Sequence, residues 1–344
     1  MRVGYVYNPI YLEHDTGQHV ENARRLEAIV SHLEQTGLKE RLTPIIPRPA
    51  TIEELSLVHT TEHISNIQET ARKGGGWLDA DTVMSSNSYD AALYAAGGTI
   101  MATQAVMNGE ANSAFALVRP PGHHAGPRRA MGFCLFNNVA IAAKYALEKF
   151  GLEHILIIDF DVHHGNGTQE VFYDNPQVLY ISAHQYPFYP GTGNIGETGG
   201  EMARGTTVNI PLPVGCGDAE YEQVFAHIIV KAAERFRPQL ILVSAGYDSH
   251  WADEMALMQV SVAGFAQMMK IIKGLAGELC EGRLVLALEG GYNLTALAAS
   301  VKATLEVLLG EIDIEDPLGQ PPRRLTMPDI ASLLRTIKET HGLA

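Results

Sequence analysis

The segment Asp159-Phe-Asp-Val-His-His-Gly-Asn166 carries the residue types of a metal centre. It grows out of the apolar run Ile155–Phe160. In an extended chain, the period of two places Asp159, Asp161 and His163 on one side. Two carboxylates and an imidazole gathered there repel one another or lose hydration unless a cation joins them. Asp161 and His163 suit a divalent ion of hard to borderline character. Asp248, at the end of another apolar run, offers a third ligand. Three protein ligands with a fourth position left to water is the usual arrangement of catalytic zinc. A lone Asp or His at a strand end is more often a solvated polar residue. The pattern Asp-x-Asp-x-His directly after an apolar strand leaves that alternative at roughly one in ten.

Two further groups could take part. His123 and His124 follow Arg119-Pro-Pro-Gly. As a pair they could be metal ligands, bases or solvated loop residues. Next to a carboxylate-bearing metal site the missing component is a base, and imidazole titrates in the useful range. Tyr292 follows Gly290-Gly291, whose backbone freedom lets a side chain be aimed into a cleft; its alternative is an aromatic packed at a turn.

These residues need elements to bring them together. Strands are expected at Val3–Tyr7, Ala114–Val118, Ile155–Phe160, Val178–Ser182, Leu240–Ser244 and Leu284–Leu288. Most are continuous apolar runs, as in parallel strands covered on both faces. Helices are expected at Ala23–Leu33, Ser88–Met107, Asn137–Lys149, Ala219–Phe236, Ser261–Glu278 and Thr295–Leu309. The rhythm indicates an open α/β fold. Four of the strands lead into polar segments that carry His, Asp and Tyr, and parallel strands deliver all such ends to one edge, where ligands bind. A proline-rich stretch, Asp316–Arg324, reads as a linker to a terminal helix, and residues 1–344 read as one domain. Glycine-rich loops occur, but none has the P-loop or dinucleotide-binding pattern.

The bulk properties narrow the partners. The 344 residues are 46% hydrophobic and 19% charged, which suits a compact enzyme. A net charge of −14 argues against nucleic acid or an anionic membrane as partner and accords with cationic substrates. Three widely spaced cysteines, Cys134, Cys216 and Cys280, build neither a disulfide framework nor a CxxC knuckle. No signal peptide and no run long enough to span a bilayer are evident. The expected setting is the cytoplasm.

RPPGHHA at 119–125, GFCLFNN at 132–138, DFDVHHGNGTQ at 159–169, PGTG at 190–193, AGYD at 245–248 and LEGGYN at 288–293 occur in this order. Together they resemble the signature blocks of the histone deacetylase superfamily, in its class II and bacterial branch, which includes acetylpolyamine amidohydrolases and acetoin-utilisation proteins. The resemblance implies an arginase/deacetylase-like open three-layer α/β sandwich with a central, mainly parallel sheet. It implies removal of an acetyl or other acyl group from an amine, such as an acylated lysine peptide or an acylated small amine. It implies zinc (Zn2+) on Asp161, His163 and Asp248. His124 becomes the general base that later protonates the leaving amine, and His123 its electrostatic partner on Asp159. Asn166 orients His124, at a position where other branches carry Asp, and Tyr292 donates to the substrate carbonyl. Phe133 and Tyr189 become tunnel walls, the Gly132 carbonyl accepts the substrate N–H, and structural potassium (K+) lies near Asp159, Asp161, His163, Ser182 and Ala183.

The chain departs from the pattern at the rim. Glu254 and Met255 stand where relatives commonly have proline and leucine, and Val20 stands where the N-terminal region has proline. Met255 is therefore expected at the pocket mouth, with an effect on substrate choice. Two competing readings are an arginase-like hydrolase, which needs two metals and more bridging carboxylates, and a non-catalytic acyl-lysine binding module. The retained ligands, histidine pair and tyrosine favour a deacetylase. The sequence leaves the natural substrate and the oligomeric state open.

Overall fold

The computed structural model describes residues 2–322 and 328–343. Of the expected linker, Arg323 and Arg324 lie outside the described residues. Among the described residues there are ten strands: β1 Val3–Val6, β2 Thr43–Ile45, β3 Gly75–Trp77, β4 Val83–Ser85, β5 Ser113–Ala116, β6 Ile155–Asp159, β7 Val178–Gln185, β8 Thr207–Leu212, β9 Leu240–Ala245 and β10 Leu284–Leu288. Eight form one sheet in the order β2-β1-β5-β10-β9-β6-β7-β8, and every pairing in it is parallel. β3 and β4 make a separate antiparallel hairpin.

Every residue of β5, β6, β7, β9 and β10 is buried, so both faces of the sheet are covered. One helical group packs in series through Arg24–Gln35, Leu294–Leu309 and Val262–Leu279; in another, Ser88–Met107 lies on Asn138–Phe150. The helices match the periodicity to within two residues. Three of their starts are capped by side chains: the Asn137, Ser261 and Asn293 oxygens accept the amides of Ala140, Gly264 and Ala296. The run expected as one helix over Ala219–Phe236 is helical from Asp218 to Phe236, with a wider π turn at Phe225–Ile229. A terminal helix, Ala331–His341, follows the proline-rich stretch.

β2 and β8 were not expected, and the reason is physical. Both are edge strands and both contain proline, Pro44 and Pro211. Proline removes a ladder donor, so a run containing it reads as non-strand, yet the outer side of an edge strand needs no donor.

Candidate active site

The carboxyl ends of β5, β6, β9 and β10 meet at one edge of the sheet, as parallel topology requires. The period-two argument applies only as far as Asp159. β6 ends there, and the chain bends through Asp161–His163. The bend separates two tasks. Asp159 stays within the sheet layer and receives His123 Nδ1 at 3.1 Å and the Tyr180 hydroxyl at 3.0 Å. Asp161 and His163 turn towards Asp248 at the end of β9.

One ligand atom from each of Asp161, His163 and Asp248 lies within 4.8 Å of the others, and all three residues are buried. His163 Nδ1 is 3.2 Å from Asp161 Oδ1 and 3.2 Å from Asp248 Oδ2. The remaining oxygens are held by backbone: Gly290 N–H donates to Asp161 Oδ2 at 2.8 Å, and Val162 N–H donates to Asp248 Oδ1 at 3.0 Å. Asp248 Oδ2 is buried and accepts no hydrogen bond. Burial and the neighbouring Asp161 charge push the Asp248 carboxyl up to about 6. Burial also opposes ionisation of Asp161, but His123 and His163 outweigh it and hold that carboxyl low. An alanine methyl at Gly290 would lie 2.3 Å from Asp248 Oδ2 and 2.5 Å from Asp161 Oδ2, so glycine keeps the space beside the two carboxylates open. An orphaned buried oxygen, two crowded carboxylates and a facing imidazole fit a divalent cation of the zinc type.

Two adjacent imidazoles sit beside this cluster in opposite environments. Burial works against a proton on His123, but Asp161 and Asp159 outweigh it and lift its pKa to about 10. His124 is pushed well below the ordinary histidine range by burial and by His123 and His163. Its Nδ1 lies 2.8 Å from Asn166 Oδ1. An amide oxygen only accepts, so Nδ1 carries the hydrogen and Nε2 is left as a free acceptor. His123 Nδ1 likewise donates to Asp159.

A cavity of about 220 Å³ opens onto these groups. His123, His124, Gly132, Phe133, His163, Tyr189, Met255 and Tyr292 all line it, so every expected pocket residue reaches one space. Gly132 and Phe133 have φ of 55° and 70°, and a Cβ at Gly132 would lie 2.3 Å from His124 Cδ2. The left-handed backbone at Phe133 is costly for a bulky residue; the bond from Phe133 N–H to Thr82 Oγ1, 3.1 Å, helps hold it. The His19 ring packs edge-on to Phe133 with centroids 4.5 Å apart, which brings the Val20 departure to the rim. Cavities of 330 and 450 Å³ beside Asp218 and Arg235 hold no comparable set.

Several residues of the site were not singled out from sequence. Phe188 stacks on His163, with centroids 5.3 Å apart and planes at 16°. Asp253 Oδ2 accepts the amides of Tyr292 and Asn293 at 2.6 and 2.8 Å. Arg25, fully buried, donates to the carbonyls of Gly291 and Glu289 at 2.6 and 2.5 Å, and its guanidinium lies 4.9 Å from the Tyr292 ring centroid. The buried carboxylate of Glu21 pairs with Arg25 and Arg119. A buried charge that fixes a distant backbone carbonyl leaves no local spacing to read. The one signal in the sequence was Arg25 on the inward stripe of its helix, where a cation is rare.

A model of the histone deacetylase domain matches residues 19–308. The chain is 44% identical over 297 residues to a probable deacetylase of Archaeoglobus fulgidus, covering 86% of this chain and 82% of that one. It is 41% identical over 314 residues to the polyamine deacetylase HDAC10 of Homo sapiens, covering 88% of this chain and 46% of that protein. The crystal structure of an HDA15 HD domain is similar with a TM-score of 0.90 and 37% identity, covering 99% of this chain and 94% of that one. With the strand-end site, the family match over most of its length and these relatives, the chain belongs to the histone deacetylase family and is a deacetylase.

Proposed function

We propose that this deacetylase is zinc-dependent and removes an acetyl or other acyl group from an amine, either a lysine side chain in a peptide or a small amine. The observation that carries the reading is the convergence of Asp161, His163 and Asp248, with His163 lining the same cavity as His124 and Tyr292. Asp161, His163 and Asp248 hold the metal. Zinc bound there lowers the pKa of a water towards ~7 and polarises the acyl carbonyl. His124 takes a proton from the attacking water at Nε2, the nitrogen that its bond to Asn166 leaves free, and passes it to the leaving amine. His123, held on Asp159, places a positive charge beside the reaction and favours the neutral form of His124. The Tyr292 hydroxyl donates to the carbonyl oxygen as negative charge develops. The Gly132 carbonyl accepts the substrate N–H, and Phe133 and Tyr189 flank the acylated chain, with Met255 at the mouth.

The polyamine substrate in the name of HDAC10 and the acidic net charge support cationic amines as one substrate class. Structural potassium is proposed beside Asp159 and Ser182, which are fully buried and face each other across the β6–β7 ladder. One continuous core running from Val3 to Leu343 supports a single catalytic unit. Three buried free thiols support a reducing, cytoplasmic setting. Among the described residues no helix is long and apolar enough to cross a membrane.

The test is acetate release from an acetyl-lysine peptide, an acetylpolyamine and longer acyl analogues, with and without a chelator. Turnover that a chelator removes and zinc restores is expected. Turnover indifferent to chelation sinks the zinc assignment, and no release from any of these substrates sinks the proposed reaction.

A further inference from the structure

We propose that Glu289 is a positioning residue: its carboxylate locks the loop carrying His123 and His124 to the loop carrying Gly290 and Tyr292, and so sets the acid–base histidine against the carbonyl-binding tyrosine. The inference rests on the deacetylase reading above and assigns a further residue to that reaction.

Glu289 is the first residue beyond β10, and its side chain is fully buried. Its Oε2 accepts two successive amides of the other loop, Gly122 N–H at 2.7 Å and His123 N–H at 3.1 Å. The second belongs to the histidine itself, so the carboxylate grips the backbone from which both imidazoles project. The backbone of Glu289 is fixed in turn. Its N–H donates to Ala245 O at 3.0 Å, and its carbonyl accepts Arg25 Nη2 at 2.5 Å. The next residues continue the pinning, with Gly290 N–H on Asp161 and Tyr292 N–H on Asp253. One residue therefore joins the end of β9, the end of β10 and the histidine loop.

A purely structural role accounts for this less well. Burying a carboxylate is costly unless its acceptors are used, and a well-packed apolar residue would avoid that cost. Here only one oxygen is used; Oε1 is buried without a partner. Burial pushes the carboxyl up to about 7, against the lowering influence of His123 and the Gly122 amide. Such a group yields little net stability. What it uniquely supplies is an acceptor at a fixed reach from β10 to two amides 167 and 166 residues away in sequence.

Two conservative variants separate reach from charge. Glu289→Gln keeps the reach and loses the charge, since its amide oxygen can accept both N–H groups. Glu289→Asp keeps the charge and pulls the acceptor back by one methylene. Both are zinc-loaded, checked for metal content and assayed on an acetyl-lysine peptide beside the wild type. The expected result is a kcat about 10- to 100-fold lower for Glu289→Asp, the scale of a small misplacement of reacting groups. Its KM should stay within about threefold and its metal content at wild-type level, and Glu289→Gln should retain most of the turnover. The Glu289→Asp penalty should also shrink in a Tyr292→Phe background, because two residues serving one geometry are coupled. Equal kcat in Glu289→Asp and wild type, the reverse ranking of the two variants, loss of metal in step with activity, or strict additivity with Tyr292→Phe overturns the proposal. A wild type that releases no acetate overturns the deacetylase reading and this inference with it.

Discussion

The floor of the cavity and its mouth are built in contrasting ways. At the floor, Asp161, Asp248, His123 and His163 are buried, and the carboxylates are tied to backbone amides of other strand ends. Glycines close in on them, so that a methyl at Gly290 or Gly246 would overlap a carboxylate oxygen. At the mouth, Tyr189 is partly exposed, Val20 beside the rim residue His19 faces solvent, and half-buried Met255 donates its backbone amide to Asp253 Oδ1 at 3.0 Å. The floor has one geometry and no room to change it. The mouth is made of side chains that can be exchanged without disturbing the sheet. On the proposed function, chemistry falls where the fold is rigid, and substrate choice where substitution is cheap.

Variants at the two levels sharpen or break that contrast. The largest effect is expected at the floor, from Asp248→Ala. It leaves His163 facing one carboxylate instead of two, and metal affinity should fall by at least the ~10- to 100-fold known for lesser changes around metal ligands. Elemental analysis should show substoichiometric zinc, with turnover near background; full metal in that variant removes Asp248 from the ligand set. Next comes His124→Ala, expected to lower kcat on the order of 10²–10⁴ while zinc stays bound, since general acid–base catalysis is lost but the ligands are intact. Near wild-type turnover there, with loss in His123→Ala instead, would exchange the roles of the two histidines.

Tyr292→Phe sits between floor and mouth. It removes one hydroxyl and leaves the ring against Arg25 and Phe133, so kcat should fall about 10²–10³ with little change in KM. A wild-type rate would make this tyrosine structural and require another donor for the carbonyl oxygen. The smallest effect is expected at the mouth. Met255→Ala should shift KM and the ranking of acyl chains by roughly threefold to tenfold, at or below the low end for one methylene in a closed apolar pocket because Met255 is only half-buried, with kcat nearly unchanged. A hundredfold fall in kcat from that substitution would erase the distinction between floor and mouth.

The same division governs what the sequence reveals. The inner strands were legible because complete burial writes itself as an unbroken apolar run: β10 appears with both boundaries, and β9 falls short by one residue, Ala245. The ends of those runs pointed to Asp161, His163 and Asp248, the proposed metal ligands, because a buried strand rarely runs straight into several ionisable groups unless something binds them. Edge strands β2 and β8 were hidden by their prolines. The expectation that Asp159, Asp161 and His163 share one side met a bend that no periodicity announces. Glu289, Asp253 and Arg25 were hidden for a further reason. Each acts on backbone groups far away in the chain, as Arg25 does on Gly291 266 residues later, and such partners exist only once the fold has formed.

The two rims of the sheet bear on how the molecule behaves in crowded solution. At one rim, β2 is three residues long and carries Pro44; at the other, β8 carries Pro211 and the terminal helix Ala331–His341 packs against it. A foreign strand arriving at either rim finds a broken row of donors and acceptors. Growth by strand addition, the route to ordered fibrous polymers, is thereby hindered at both ends. The helix Ala331–His341, distant in sequence from the site residues, thus helps shield the β8 rim from a foreign strand.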